Sequence, residues 1–381
     1  MGLLFNDEER TLIEAVREYV ARDVAPRAAD RDENSVFPVE ELRAAAAMGF
    51  MGMAVQEELG GFPFPATSTA IVYEEISRAS ASVAVILSVH NSLTCNAINQ
   101  YGSPALKCRL MPLLASGELI GAYCLTEPQA GSDAGAIRTR AIEAGDDWRI
   151  SGEKAFITSG AHAGVYIVFA VTDPDARTSH RMTAFVVERD TSGIEVAPKE
   201  RKLGLLASEI NGITFSDVVV PDTHVLGEVG GGFGVAMSLL ATGRIGIAAQ
   251  AVGIAQAALD AGLAYAKERR QFGKAIAEYQ AIQWKLADMA TEIDAARLLV
   301  RQAALLKDAG ADYTRQASQA KLFASELATR AAGHAIQIHG GYGYIRDFGV
   351  ERLYRDAKAT ELYEGTSEIQ RLVIARQLLG Q

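Results

Sequence analysis

Residues 164–188 read GVYIVFAVTDPDARTSHRMTAFVVE, and this stretch decides the fold of the middle of the chain. It holds two runs rich in β-branched and aromatic residues, 164–171 and 182–188, on either side of a turn-like segment at 173–175. Such runs, bounded by Asp and Pro, are typical of β-strands. Because no long helix fits between them, we predict antiparallel neighbours rather than a parallel pair joined by a crossover helix.

The same composition continues on both sides of that stretch. Further runs of this kind are separated by short segments rich in Asp, Gly and Ser, which favour turns. We therefore predict that residues 119–225 form an antiparallel β-barrel or sandwich. The further strand-like runs are 120–125, 148–151 and 212–220.

Helical periodicity dominates before and after this region. Before it, apolar residues such as Leu12, Val16 and Tyr19 repeat every three to four positions. After it, residues 244–267 are an unbroken run rich in Ala, Ile and Leu. The sequence thus predicts a mainly α protein with a central β domain. Its predicted parts are an N-terminal helical domain (1–118), the β domain (119–225) and a C-terminal four-helix bundle (226–381).

Composition excludes several classes of function. The 381 residues include 37 Lys and Arg against 47 Asp and Glu, so the formal net charge of −10 disfavours nucleic-acid binding and a polybasic membrane anchor. The segment 1–9 is acidic and lacks the apolar core of a signal peptide, and we find no run of about 18 apolar residues. We expect a cytoplasmic protein without membrane insertion, with an organellar protein whose targeting segment has been removed as the alternative.

Familiar cofactor and metal motifs are missing. The glycine-rich segment 227–234 has no GxGxxG inside a strand–helix–strand unit, and 273–275 lacks the Ser or Thr of a phosphate-binding loop. Three cysteines make no disulfide framework or zinc spacing. His334 and His339 are five residues apart and do not share a helix face, so we expect no metal.

Two motifs stand at predicted strand ends. Residues 123–133 (YCLTEPQAGSD) expose hydroxyls and backbone N–H groups in a tight turn, which suits an anionic or hydrogen-bonding ligand. Residues 156–160 (FITSG) place an aromatic ring beside a hydroxyl. Each motif taken alone is equally compatible with an ordinary strand-end turn.

Two more motifs lie in the helical C-terminal part. In 268–273 (ERRQFG), Arg269 offers a planar fork for phosphate and Phe272 a ring for stacking, although a polar helix–helix turn has the same appearance. The last motif joins 337–343 (QIHGGYG) to 363–370 (YEGTSEIQ). Its glycines permit close approach of a ligand, and Thr366 is a good helix N-cap. A lone loop Glu such as Glu364 is by default solvated.

Together, in this order and on a helix–β–helix plan, the four motifs resemble the acyl-CoA dehydrogenase flavoprotein family over essentially the whole chain. They are most similar to its short-chain (butyryl-CoA) branch. The resemblance implies FAD-dependent α,β-dehydrogenation of an acyl-CoA to a trans-2-enoyl-CoA, with flavin N5 as hydride acceptor. It also implies electron-transfer flavoprotein as the electron acceptor and a homotetramer with FAD sites shared between subunits.

The resemblance assigns roles to residues. Glu364 becomes the catalytic base, because the alternative position of the base in some relatives, beside Arg244, is here Gly243. Two departures are Phe156, where many relatives carry Trp, and Ala241, where relatives often carry Asp. Implied FAD contacts are Tyr123, Leu125, Thr126, Ser132, Phe156, Thr158, Arg269, Gln271, Phe272, Gln280, Gln337, Gly340, Gly341, Thr366 and Glu368. Implied substrate contacts are Ser132, Arg244, Tyr363 and Gly365.

Other functions stay open on the sequence alone. A dehydrogenase for a branched or cyclic acyl-CoA and an acyl-CoA oxidase share the motifs. The length of this polypeptide argues against the oxidase, because acyl-CoA oxidases of this fold usually carry an extra C-terminal domain. A non-catalytic flavin- or CoA-binding scaffold is the alternative from a different class, because fold does not fix function. The acyl chain length is not determined; residues 83–93 are expected to form the pocket floor.

Overall fold

A computed structural model describes residues 5–380 of the chain. The first four residues of the segment 1–9, predicted to lack a signal peptide, lie outside this range. Helices fill the two ends of the described chain and strands fill the middle, so the predicted mainly α fold with a central β domain is confirmed.

The N-terminal part is a cluster of helices. The first begins with a reciprocal capping box, in which the Asn6 side chain accepts from the Glu9 N–H at 2.8 Å and Glu9 Oε2 accepts from the Asn6 N–H at 2.9 Å. Two π-helical segments, Val20–Val24 and Val89–Cys95, join neighbouring helices into longer rods. The α-helices are α1 (Asp7–Tyr19), α2 (Ala25–Glu33), α3 (Val39–Ala47), α4 (Ala66–Ser77), α5 (Ala81–Ser88), α6 (Asn96–Tyr101) and α7 (Pro104–Ala115).

The middle part is an eight-stranded sheet with the path β6-β7-β3-β2-β4-β5-β8, and β1 pairs with β4. The two strands predicted from residues 164–188 are antiparallel neighbours, with Val165 opposite Glu188 and Val171 opposite Met182. The strands are β1 (Gly121–Cys124), β2 (Arg140–Ala144), β3 (Asp147–Thr158), β4 (Val165–Val171), β5 (Met182–Glu188), β6 (Ile194–Val196), β7 (Ile210–Pro221) and β8 (Val225–Leu226).

The sheet is mixed, whereas we predicted a purely antiparallel one. Strand β1 runs parallel to β4, with Gly121 opposite Val165, and β2 touches β4 in the parallel sense at Arg140 and Val171. The reason is the long excursion between β1 and β4. The chain forms the β2–β3 hairpin between these two strands. This connection is long enough to join parallel strands without a crossover helix.

Strand β4 is buried on both faces. Ile167 and Phe169 pack into the main helical core, whereas Tyr166 and Val168 pack into a separate core within the β domain. A strand covered on both sides needs a continuous apolar run rather than alternation. This explains why residues 165–171 are so uniformly apolar.

The C-terminal part is built on three long helices, with two shorter ones packed against α10. A small hairpin of β9 (Arg270–Gln271) and β10 (Lys274–Ala275) separates the first two. Helix α11 adds to the four helices expected of the bundle. The helices are α8 (Gly232–Glu268), α9 (Gln280–Asp308), α10 (Thr314–His339), α11 (Val350–Thr360) and α12 (Ser367–Leu379).

Two helical segments, Ala81–Tyr101 and Gly232–Glu268, are long and apolar enough to cross a membrane by length and composition. Each contains polar residues, His90 and Asn91 in the first and Arg244 in the second, so neither is the unbroken apolar run that we looked for in the sequence. Their most apolar windows are 94% and 83% buried inside the protein, and the core helices of a soluble protein pass the same test. The two helices are weak evidence for a membrane span.

Candidate active site

Glu364 lies in the loop between α11 and α12 and borders a cavity of about 600 Å³ where the three parts of the chain meet. The cavity gathers ten of the residues that the sequence singled out, from both strand-end motifs, α8 and the last loop. These ten are Tyr123, Leu125, Thr126, Ser132, Phe156, Thr158, Arg244, Tyr363, Glu364 and Gly365.

The Glu364 side chain is a buried acceptor without a donor. Neither of its carboxylate oxygens is accessible to solvent, and neither has a hydrogen-bond partner. Burial raises the pKa of Glu364 from 4.5 to about 7, against the opposing pull of the Lys321 and Arg244 cations. A carboxyl group with a pKa near neutrality is suited to accept a proton from carbon.

The absence of a side chain at position 243 makes room for this carboxylate. A Cβ built on Gly243 would lie 1.9 Å from Glu364 Oε2, which is far inside van der Waals contact. The alternative base position that the resemblance indicates is therefore empty here, and Glu364 occupies the space it leaves.

An exposed aromatic ring, that of Phe156, also lines the cavity. Phe156 adopts a φ of 58° where the pairing of β3 with β7 is irregular, and it leaves 63% of its surface exposed. Such irregularities re-aim side chains and are over-represented beside active sites. Nearby, the Tyr123 hydroxyl is buried without a partner. An open ring face and an unsatisfied hydroxyl fit a flat, polar-edged group such as a flavin.

A buried ion pair supports the turn that carries Thr126. Lys154 Nζ donates to Glu127 Oε1 at 2.8 Å and to the Leu125 carbonyl at 3.1 Å. Burial alone would raise the pKa of Glu127, but Lys154 and the backbone N–H donors outweigh it and hold the pKa at about 2. Sequence reasoning missed this pair, because its partners are 27 residues apart and share no local pattern.

A second groove of about 470 Å³ holds the Arg269 motif and the paired glycines. Four predicted FAD contacts line it: Arg269, Gln271, Gly340 and Gly341. The Arg269 guanidinium lies over the Tyr342 ring at 5.4 Å. A Cβ at Gly340 or Gly341 would meet no atom within 4 Å, so the groove has room for a ligand along this backbone.

The remaining predicted contacts lie outside the lining of both cavities. Phe272 is 95% exposed at the tip of the small hairpin, and Thr366 caps α12 by accepting from the Ile369 N–H at 3.4 Å. Their roles toward a ligand, like those of all the predicted site residues, stay predictions. The other residues of this group are Gln280, Gln337 and Glu368.

Sequence reasoning missed most of the apolar lining of the large cavity. Phe233, Met237 and Leu240 line it together with Arg244, and their spacing along α8 is that of one helix face. That spacing was a usable signal. From the expected floor, Val89 and Leu93 reach the cavity out of a π-helical segment. The remaining missed residues include Ile369, Leu372, Val373 and Arg376 of α12.

The substitution of Asp by Ala at position 241 leaves a buried side chain that does not border the cavity. Within residues 5–380 no group of three or more His, Cys, Asp and Glu side chains is placed to hold a metal ion.

The fold and the site together define a class: a helix–sheet–helix protein with a buried, unpartnered carboxylate beside a large cavity. Sequence models of the acyl-CoA dehydrogenase N-terminal, middle and C-terminal domains match residues 6–118, 122–218 and 230–379. The chain belongs to the acyl-CoA dehydrogenase family, which consists of FAD-dependent oxidoreductases.

Individual relatives are similar over nearly their full length. The short-chain specific acyl-CoA dehydrogenase of Clostridium acetobutylicum is 44% identical, over 97% of this chain and 98% of its own. The butyryl-CoA dehydrogenase structure from Megasphaera elsdenii shares 40% identity and a TM-score of 0.96, with 100% of both chains covered. A chain from the structure described as the electron transferring flavoprotein of Acidaminococcus fermentans shares 39% identity and a TM-score of 0.97, with 100% of both chains covered.

Proposed function

We propose that this enzyme removes one hydrogen each from Cα and Cβ of a short-chain acyl-CoA and forms the trans-2-enoyl-CoA, with Glu364 as the base. The observation that carries the proposal is the buried, unpartnered carboxylate of Glu364 in the cavity that gathers six of the predicted flavin contacts and all four predicted substrate contacts. The short acyl chain is supported by the relatives from C. acetobutylicum and M. elsdenii.

The residues of the cavity divide the work of the reaction. The carboxylate of Glu364 takes the α-proton, and no internal donor competes for its lone pairs. The backbone N–H of Glu364 has no hydrogen-bond partner within residues 5–380. It is therefore free to donate to the thioester carbonyl and make the α-proton more acidic. FAD, when bound, supplies the acceptor for the β-hydride.

The cofactor fits the residues present on this chain. Phe156, Thr126 and Thr158 would hold the flavin ring, and the unsatisfied Tyr123 hydroxyl offers a polar partner at the cavity wall. Ser132, on the turn after β1, would contact both the FAD phosphate and the bound CoA. Arg244, Tyr363 and Gly365 are proposed as further substrate contacts.

We infer a homotetramer in which the FAD site is shared between subunits. The groove of Arg269, Gln271, Gly340 and Gly341 is separate from the cavity of Glu364, so one chain carries two half-sites. The almost fully exposed ring of Phe272 is also explained if a neighbouring subunit covers it. Phe272, Gln280, Gln337, Thr366 and Glu368 would complete that second half-site.

Electron-transfer flavoprotein is the proposed electron acceptor, supported by the A. fermentans structure. We propose that the enzyme works in the cytoplasm as a protein without a membrane anchor. The burial of both long apolar helices within the protein supports the absence of membrane insertion.

The test is an anaerobic titration of the purified holoenzyme with butyryl-CoA, followed by the visible flavin spectrum. We expect bleaching of the bound flavin, and no bleaching in Glu364→Gln. A parent enzyme that bleaches only with longer, branched or cyclic acyl-CoA thioesters would correct the substrate. Stoichiometric hydrogen peroxide in air would identify an oxidase, and no bleaching with any thioester would favour a non-catalytic scaffold.

A further inference from the structure

The turn that carries the base is strained. Glu364 has a φ of 52° and Gly365 a φ of 95°, so two successive residues adopt the left-handed conformation. For a residue with a side chain this conformation costs about 1 kcal/mol or more. It persists only where the surroundings hold it. Within residues 5–380, neither Glu364 nor Gly365 makes a backbone–backbone hydrogen bond.

Two buried side chains hold the carbonyls of this turn. Lys321 of α10 donates from Nζ to the Gly365 carbonyl at 2.7 Å. Gln370 of α12 donates from Nε2 to the same carbonyl at 2.9 Å and to the Glu364 carbonyl at 3.2 Å. Both side chains are fully buried. The turn is therefore fastened to two helices at once.

The direction of these hydrogen bonds matters for the chemistry. A buried ammonium beside a carboxylate would ordinarily donate to it directly, but here Lys321 Nζ bonds to the backbone and the Glu364 oxygens receive nothing. The carboxylate and the Glu364 N–H both stay unpaired. A direct Lys321–Glu364 bond would occupy the lone pair that must accept the α-proton.

We propose that Lys321, together with Gln370, is a positioning residue that locks the Glu364–Gly365 turn so that the base and its N–H both face the substrate thioester. The proposal rests on the proposed function and names residues to which the resemblance assigned no role. Lys321 acts through the backbone of Glu364 and Gly365 and not by contact with the substrate.

Lys321 also acts on Glu364 through its charge. The groups that face Glu364 are the cations Lys321 and Arg244, which lower its pKa, and the neutral phenols Tyr73, Tyr123 and Tyr363. Glu361 and Glu368 also face Lys321. Loss of the Lys321 cation therefore raises the pKa of Glu364, whereas loss of the Gln370 amide leaves it unchanged. This difference separates geometry from charge.

The experiment compares three variant holoenzymes with the parent by rapid mixing with butyryl-CoA under anaerobic conditions across a range of pH. Lys321→Met should slow flavin reduction by about 100-fold, the penalty of a base displaced by roughly 1 Å. Its pH midpoint should move upward and its α-deuterium isotope effect should grow. Gln370→Leu should slow reduction with the midpoint unmoved. Lys358→Met, whose ammonium pairs with Glu361 at 2.7 Å on the surface, is the matched control.

The outcomes are distinct. A Lys321→Met holoenzyme that reduces its flavin at the parental rate overturns the proposal, and so does a parental rate in Gln370→Leu. If Lys321→Met yields no folded holoenzyme, Gln370→Leu decides by the same criterion. A parent enzyme that no acyl-CoA bleaches overturns the proposed function and this proposal with it, which a loss confined to the variants does not.

Discussion

Glu127 and Glu364 are both carboxylates withdrawn from solvent, and the protein treats them in opposite ways. Glu127 receives an ammonium and the N–H groups of Arg138 and Thr139, and its pKa is held at about 2. Glu364 receives no hydrogen bond, and its pKa is raised to about 7. The first arrangement is what stability favours, and the second is what proton abstraction requires.

The two sites differ in where the stabilising hydrogen bonds end, on the carboxylate at Glu127 and on the backbone at Glu364. Around Glu127, every contact fixes the turn that leads to the proposed flavin site. Around Glu364, the same kind of polar side chain, a buried lysine, is directed to the backbone instead. Under the proposals above, reactivity at Glu364 depends on side chains that bond to its main chain and leave its carboxylate unpaired.

The largest effect is expected for Glu364→Gln. It removes the carboxylate that lies against Gly243 in the cavity, while Glu127 and its turn stay intact. General-base catalysis contributes about 10²–10⁴-fold, so we expect flavin reduction by butyryl-CoA to fall by about that factor. FAD content should be unchanged. Parental reduction rates in this variant would exclude Glu364 as the base.

The second prediction concerns the paired carboxylate. Lys154→Met leaves the Glu127 charge buried without its cation, and breaking such a pair typically costs about 3–5 kcal/mol of unfolding free energy. Denaturant unfolding of the holoenzyme measures the loss. Lys199→Met is the control, because Lys199 is an exposed lysine 3.4 Å from Glu209 and should cost at most about 1 kcal/mol. Equal stability of Lys154→Met and parent would contradict this account of Glu127.

The third prediction uses pH to compare Glu364 with its neutral isostere. An acid whose pKa is raised by folding holds its proton more tightly in the native state, so the native state loses stability as pH rises from 4.5 toward 7. Glu364→Gln escapes this loss. Its unfolding free energy should exceed that of the parent by up to about 3 kcal/mol near pH 8 and by less near pH 5.

The thermal midpoints of parent and variant at the two pH values measure this effect. A stability difference that shrinks as pH rises would show that the native state does not raise the pKa of Glu364.

The fourth and smallest effect tests the space around Glu364. Gly243→Ala places a methyl group 1.9 Å from the present position of Oε2 and should displace the carboxylate, slowing flavin reduction by about tenfold to 100-fold. Gly234→Ala is the matched control on the same helix, because its Cβ would meet no atom within 4 Å. An unimpaired Gly243→Ala enzyme would mean that the base does not react from this position.

The sequence was informative where the signal is local. The uniform apolar run of β4, the turn before β5 and the N-cap at Thr366 are each contained in a few consecutive residues, and the structure has all three. Glu364 could be singled out only from the four motifs taken together, because a single Glu in a loop gives no indication that it is buried.

The rest depended on partners distant along the chain. Nothing in residues 121–124 announces a parallel neighbour at β4, because register between distant strands is set by the tertiary packing. Likewise Lys321 looks like any lysine in an amphipathic helix, and its role appears only when Gly365, 44 residues later, meets it. Apolar spacing on α8 was readable, but which face borders the cavity was not.

Strand β4, covered on one side by the helices and on the other by its own sheet, has a consequence for how the molecule comes apart. In an isolated fragment cut near residues 119 and 225, Ile167, Phe169 and Val186 would be exposed to water. We expect this apolar surface to make the fragment prone to aggregation. The helical segments, in turn, would lose these packing partners from their core. Because the middle segment and the helices share one apolar core, we expect the three segments to unfold in a single cooperative transition.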